Sequence, residues 1–283
     1  MRYLVNKAGL AALVLLLSTL TGSAVWHSGT IVVLDFEQDR LLAAADSRES
    51  LSGSSIYRDD ACKIVPLDDH SFFAATGHTE IERGDGKIVF SATEAAKRVF
   101  RRASTHQIRK IASSWGDDVS HAIESLRNVP GFALPPPGEF VTGIFATSVT
   151  DSRGVSQIET YEATVSLLLA QAPTPLPRFR VKVNAISAPQ ETPYMPYGSS
   201  EGRQGLKELL EVTSDRAWTA NERLKREIVF GRVADPYARI LEVSIQFACD
   251  VAIHKNEIGG PVDILELRKG GKIKWIKVKS QCH

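Results

Sequence analysis

At 283 residues, 43% hydrophobic and 24% charged, the chain has the composition of an ordinary folded protein, with enough length to bury a core without a structural metal. Lys and Arg number 34 against 33 Asp and Glu, a formal charge of +1. Nothing in that balance argues for nucleic acid or an anionic membrane surface as partner, and no nucleic acid is expected.

The first 24 residues stand apart. Arg2 and Lys7 give a positive start, residues 8–20 form an almost unbroken apolar run, and Gly22-Ser23-Ala24 supplies the small residues of a cleavage site. This is the three-part pattern of a secretory signal. The run of about thirteen residues falls short of the roughly 20 that a membrane-spanning helix needs. The expectation is cleavage after Ala24 and a periplasmic or secreted chain from Val25, with no stable membrane anchor.

Past the signal, residues 30–34 and 41–45 are β-rich or small-apolar runs separated by the polar Glu37-Gln38-Asp39-Arg40, which reads as a hairpin. Residues 63–65 and 71–75 read as a second strand pair turning at Asp68-Asp69. Two helices follow. Over 92–103, Ala95, Ala96, Val99, Phe100 and Ala103 fall on one face, and over 108–126 so do Ile111, Trp115, Val119, Ala122, Ile123 and Leu126. The basic stretch from Lys97 to Arg102 reads as the solvated side of the first of them. Leu134-Pro135-Pro136-Pro137-Gly138 then breaks any helix.

Strands are expected at 140–148, 156–168 and 178–187, and the Pro- and Gly-bearing stretch 189–198 reads as a connector. Helices are expected at 204–212, 214–228 and 236–253, and strands at 262–267 and 272–278 close the chain over Gly270-Gly271. Strands and helices come in separate blocks, without alternating βαβ units. That order predicts an α+β domain in which two antiparallel sheets stack between helical layers.

Three cysteines, Cys62, Cys249 and Cys282, allow one disulfide and one leftover thiol in an oxidising compartment, and the pairing stays open. No CxxC, HExxH or His/Asp set at ligand spacing occurs, so neither a metal nor a cofactor is expected. Asp250 and His254, four apart on an expected helix, read as a surface contact.

Four short segments bear on chemistry: Gly29-Thr30-Ile31-Val32, Ala44-Ala45-Asp46-Ser47-Arg48, Lys63-Ile64, and Ala75-Thr76-Gly77. Asp46 lies 16 positions after Thr30, Lys63 a further 17, and Gly77 a further 14. Singly, each has a plain reading: Thr30 as a strand residue, Asp46 and Arg48 as a strand-end pair. As an ordered set they resemble the front half of a proteasome β-type subunit, an N-terminal-nucleophile hydrolase, with one inserted residue between Asp46 and Lys63.

The resemblance implies a four-layer αββα sandwich over residues 30–283, with 25–29 as a short propeptide. It implies that Thr30, once freed as the chain terminus, is nucleophile and, through its α-amine, base. The reference pKa of such an amine, roughly 7.7–8.0, suits that work. Lys63 paired with Asp46 would favour the neutral amine and the forming alkoxide, and the Gly77 N–H would donate to the oxyanion. A peptide or protein substrate and a homo-oligomer are implied in the same way. Counting back from Asp46 puts Thr30 at the nucleophile position, whereas the local letters put Gly29 there.

The later part of the chain departs from the family pattern. Ile258-Gly259-Gly260 stands where Ser-Gly-Gly is expected, Lys255 stands where an aspartate is expected, and Ser199 corresponds loosely to a supporting serine. An inactive binding or assembly protein on the same fold is therefore the alternative. A different enzyme class is suggested by Gly198-Ser199-Ser200-Glu201-Gly202, a G-x-S-x-G match with Asp235 and His254 downstream, though no strand is expected to lead into it.

Overall fold

The computed structural model describes residues 25–51, 56–104, 107–127, 132–168, 178–187, 194–252 and 258–282. The expected signal segment, His254 and Lys255 lie outside them. The first hairpin is β2 (Ile31–Phe36) and β3 (Arg40–Ala45), after a short β1 (Val25–Ser28). Next come β4 (Glu49–Leu51), β5 (Tyr57–Arg58), β6 (Ile64–Pro66), β7 (Ser71–Gly77), β8 (Glu80–Glu82) and β9 (Ile88–Ser91). Helices α1 (Ala92–Arg102) and α2 (Ile108–Leu126) precede the strands β10 (Gly138–Thr150), β11 (Ser156–Leu168), β12 (Arg178–Ala185) and β13 (Tyr194–Gly198). The chain ends with α3 (Ser200–Glu211), α4 (Asp215–Val229), α5 (Pro236–Val251), β14 (Asp263–Arg268) and β15 (Ile273–Lys277).

Two antiparallel five-stranded sheets carry the domain. One has the order β13-β2-β3-β14-β15 and the other β12-β11-β10-β7-β6. Side chains alternate across a strand, and β2 shows what each face meets. Val32 and Leu34 pack with Phe72, Ala74 and Ile144 of the second sheet, whereas Ile31 and Val33 pack with Leu206 of α3 and Leu241 and Ile245 of α5. On the outer face of the second sheet, Phe73, Phe145 and Val165 meet Ile111 and Trp115 of α2 and Ala95 and Ala96 of α1. The layers therefore run helices, sheet, sheet, helices: the expected αββα sandwich. Apolar residues at successive positions of β2 and β3 are what burial on both faces demands.

The helix starts follow ordinary capping chemistry. Ser91, Ser199, Ser214 and Asp235 each accept a backbone N–H from the first turn that follows. Two features differ from the sequence reading. The stretch 189–198 contains a strand, β13, and Pro196 is tolerated there because, among the described residues, β13 is an edge strand pairing only with β2. A third, smaller sheet, β5-β4-β1-β8-β9, is built from strands of two to four residues. Its middle strand is β1, which holds the segment read as a short propeptide. The buried indole of Trp26 packs against the rings of Phe132, Phe140 and His78 at 5.2–5.5 Å.

Candidate functional site

Thr30 sits with Gly29 in the two-residue connection from β1 to β2, where the chain passes from the small sheet into a main one. Asp46 directly follows β3, Lys63 directly precedes β6, and Gly77 ends β7. Pairing of β2 with β3 brings Asp46 alongside Ile31. The Ile31 N–H donates to Asp46 Oδ1 at 2.8 Å, and the Asp46 N–H donates to the Ile31 carbonyl at 3.2 Å. The second carboxylate oxygen accepts from the Gly259 N–H at 2.8 Å.

Lys63 completes the group. Its Nζ donates to Asp46 Oδ1 at 3.0 Å, to the Gly29 carbonyl at 2.9 Å and to the Arg48 carbonyl. The side chains of Lys63 and Asp46 are 2% and 0% exposed. A buried ion pair persists only if its remaining donors and acceptors are also satisfied, and here the three donors of the ammonium have three oxygens.

The Thr30 hydroxyl donates to the Gly29 carbonyl oxygen, the same atom that Lys63 holds. The structure thus brings Thr30 and Lys63 onto the Gly29 carbonyl, with Asp46 behind Lys63 and on the Ile31 N–H, and a hydroxyl at residue 30 faces that carbonyl, whereas Gly29 has no side chain to offer. Gly77 lines the same cleft, of about 290 Å³, together with Thr142, Glu139, Ser199 and Arg203. Glycine is required at 77 on other grounds as well: φ is +89°, and a Cβ there would lie 2.6 Å from the Phe140 carbonyl oxygen.

Several partners have no signature in the sequence, because they are backbone atoms: the Arg48 carbonyl, the Gly259 N–H, and the Ser199 N–H, which donates to the Thr30 carbonyl at 3.1 Å. Gly198 is the legible one. A Cβ at that position would lie 1.8 Å from the Thr30 carbonyl oxygen, so only glycine lets β13 pass so close. Ser199 caps α3 through its hydroxyl, accepting from Gly202 N–H at 3.1 Å.

The G-x-S-x-G match is led by a strand after all, since β13 runs into α3. Its expected partner Asp235 is committed elsewhere, however. It caps α5 and holds the Arg40 guanidinium at 2.5 and 3.1 Å.

Cys62, next to Lys63, is disulfide-bonded to Cys282, which ties the chain end to the approach to β6. Cys249 is a free, half-buried thiol. Burial, reinforced by the Asp46 carboxylate, pushes it up to about 12, well above reactive range.

No family model matches the chain, and no curated protein matches it. Among solved structures it is similar to the Anbu (Gly-1) mutant from Hyphomicrobium sp. strain MC1, at 16% identity and a TM-score of 0.45, over 89% of each chain. It is also similar to eukaryotic HslV from Trypanosoma brucei, at 14% identity and a TM-score of 0.45, over 84% of this chain and 99% of that one. What the cleft can do is set by its own geometry: a hydroxyl and an ammonium meet on the carbonyl of Gly29, and a buried carboxylate holds the ammonium there.

Proposed function

We propose that this chain is an exported, self-processing amide hydrolase of the threonine type, acting on peptides or proteins, with Thr30 as its nucleophile. The observation that carries the reading is the convergence of the Thr30 hydroxyl and the Lys63 ammonium on the Gly29 carbonyl oxygen. Attack of Thr30 Oγ1 on the Gly29 carbonyl carbon places negative charge on that oxygen, where Lys63 already donates. Collapse breaks the Gly29–Thr30 C–N bond. The hydroxyl proton ends on the Thr30 nitrogen, and the Gly29 acyl group on Thr30 Oγ1 as an ester. Water hydrolyses the ester and leaves Thr30 with a free amine and a free hydroxyl.

The same two groups then serve a substrate. The amine takes the hydroxyl proton as Oγ1 attacks the substrate carbonyl, and returns it to the leaving amine. Lys63, held in place by Asp46, puts positive charge beside the alkoxide, and the glycine at 77 lets a substrate carbonyl lie close against the backbone. Export is supported by the signal-like residues 1–24 and by the Cys62–Cys282 bond, which an oxidising compartment sustains.

One observation favours the second reading, in which the chain stays uncut and the fold serves binding. β1 is the central strand of the small sheet, paired on both sides, with Trp26 buried, so cleavage after Gly29 would detach from the chain a strand the fold uses. Intact mass and N-terminal sequencing of the exported protein separate the two. The hydrolase reading expects a chain starting at Thr30, with residues 25–29 released or retained non-covalently, and uncut chains in Thr30→Ala and Lys63→Ala. A stable wild-type chain starting at Val25 overturns it in favour of binding.

A further inference from the structure

A second polar group lies outside the cleft, on the small sheet. His27 is on β1, Glu49 on β4 and Glu80 on β8, and strand pairing sets His27 directly across from Glu80. The imidazole is 1% exposed. Its Nδ1 lies 3.5 Å from Glu49 Oε2 and 3.7 Å from Glu80 Oε2, and its Nε2 lies 3.2 Å from Glu82 Oε2. Yet neither ring nitrogen makes a hydrogen bond among the described residues. Leaving a buried polar atom without a hydrogen-bond partner costs about 1–3 kcal/mol, so a ring held among carboxylates by ion-pair contacts alone has donor capacity that a ligand could use.

We propose that His27, Glu49 and Glu80 bind a divalent transition-metal ion of the zinc type, through His27 Nδ1 and one oxygen of each carboxylate. Donors at about 2.0–2.2 Å around a tetrahedral ion lie roughly 3.3–3.5 Å from one another. The histidine-to-carboxylate separations of 3.5 and 3.7 Å need only a small contraction to reach that. All three donor atoms lie within 4.8 Å of one another. One imidazole with two carboxylates suits zinc, whereas magnesium and calcium prefer oxygen alone. Glu82, beside Nε2, is placed to orient the ring as a carboxylate behind a metal-bound histidine does. Thr79 Oγ1 donates to Glu49 Oε1 at 2.8 Å and leaves Oε2 facing the ring.

Arg58 is the competing cation. Its Nη2 donates to Glu49 Oε2 at 2.8 Å and to Glu80 Oε2 at 2.6 Å, spanning the two oxygens that the ion would use. Its side chain is 40% exposed and comes from the two-residue edge strand β5, so the guanidinium can withdraw to solvent. Metal and Arg58 therefore exchange at one place. An ion bound there ties β1 to both its neighbours, two residues before Gly29.

The test is a Co²⁺ titration, followed by visible absorption, of the full mature chain carrying Thr30→Ala, so that β1 stays attached whether or not the wild type processes itself. The expected result is one equivalent of four-coordinate Co²⁺, displaced by Zn²⁺. Affinity should fall at least tenfold in His27→Ala and in Glu80→Gln, and rise at least tenfold in Arg58→Gln. Should His27→Ala fail to fold by circular dichroism, the partly exposed Glu80→Gln carries the test. Absence of one-equivalent binding overturns the proposal. So does binding indifferent to these substitutions, or an Arg58→Gln variant that binds no tighter.

Discussion

Asp35, on β2, is fully buried, and neither of its carboxylate oxygens has a hydrogen-bond partner among the described residues. Burial, with help from Glu37 and Asp235 and against the pull of Arg40, pushes its carboxyl up to about 7 from an ordinary 3.8. The sign of the linkage follows. Between about pH 4 and pH 7 the folded chain holds a proton that the unfolded chain has released, so stability falls as pH rises through that window. Above about pH 7 the full penalty remains. Asp35→Asn removes the charge and keeps the shape, so it should stabilise the protein by up to about 4 kcal/mol at pH 8 and by little at pH 4. Urea denaturation midpoints at the two pH values check this, and an equal gain at both would contradict it.

The same scale shows what the sequence could disclose about the site. Asp46 and Lys63 were legible because their chemistry is carried by side chains at a fixed interval, and the structure joins them at 3.0 Å. The Arg48 carbonyl and Gly259 N–H that complete their shell were not, because backbone atoms carry no letter of their own. His27, Glu49 and Glu80 were illegible for another reason. Their separations along the chain have no ligand spacing, and only the pairing of β1 with β4 and β8 collects them.

At the scale of elements, helices announced themselves by apolar residues three and four apart, and α2 occupies the expected 108–126. β13 was hidden by Pro196, which an interior strand would reject and an edge strand admits. The end of α3 holds a residue at odds with its position. Val212, the C-cap, adopts φ 52° and ψ 47°, a left-handed conformation that a β-branched side chain resists. It is 41% exposed, so little packing compensates. Val212→Gly should therefore stabilise the protein by about 1 kcal/mol, net of glycine's greater freedom when unfolded. Thermal unfolding is the measurement; a lower Tm would mean that the valine side chain contributes more than its backbone costs.

For the whole molecule, the αββα order was readable because strands and helices are segregated in blocks. The small sheet was not, since strands of two to four residues give no period to read. Closure of the chain on itself was equally hidden: three cysteines allowed three pairings, and the fold selects Cys62 with Cys282, a separation of 220 residues. That bond joins the last turn of the chain to the residue beside Lys63, and Lys279 reinforces the seam by donating to the Ala61 carbonyl at 2.7 Å and pairing with Asp263 at 2.7 Å. A cross-link over so long a loop restricts the unfolded chain strongly, by about 3–5 kcal/mol where native geometry is unstrained. The Cys62→Ser/Cys282→Ser double variant should therefore unfold at markedly lower guanidinium concentration than the parent, with the folded spectrum unchanged. Addition of a thiol reductant should lower the parent's midpoint towards that of the variant and leave the variant's own unmoved. A reductant that shifts both alike would assign the effect to something other than this bond, and a midpoint unaffected by either change would mean that the packing of β14 against β3 holds the chain end without it.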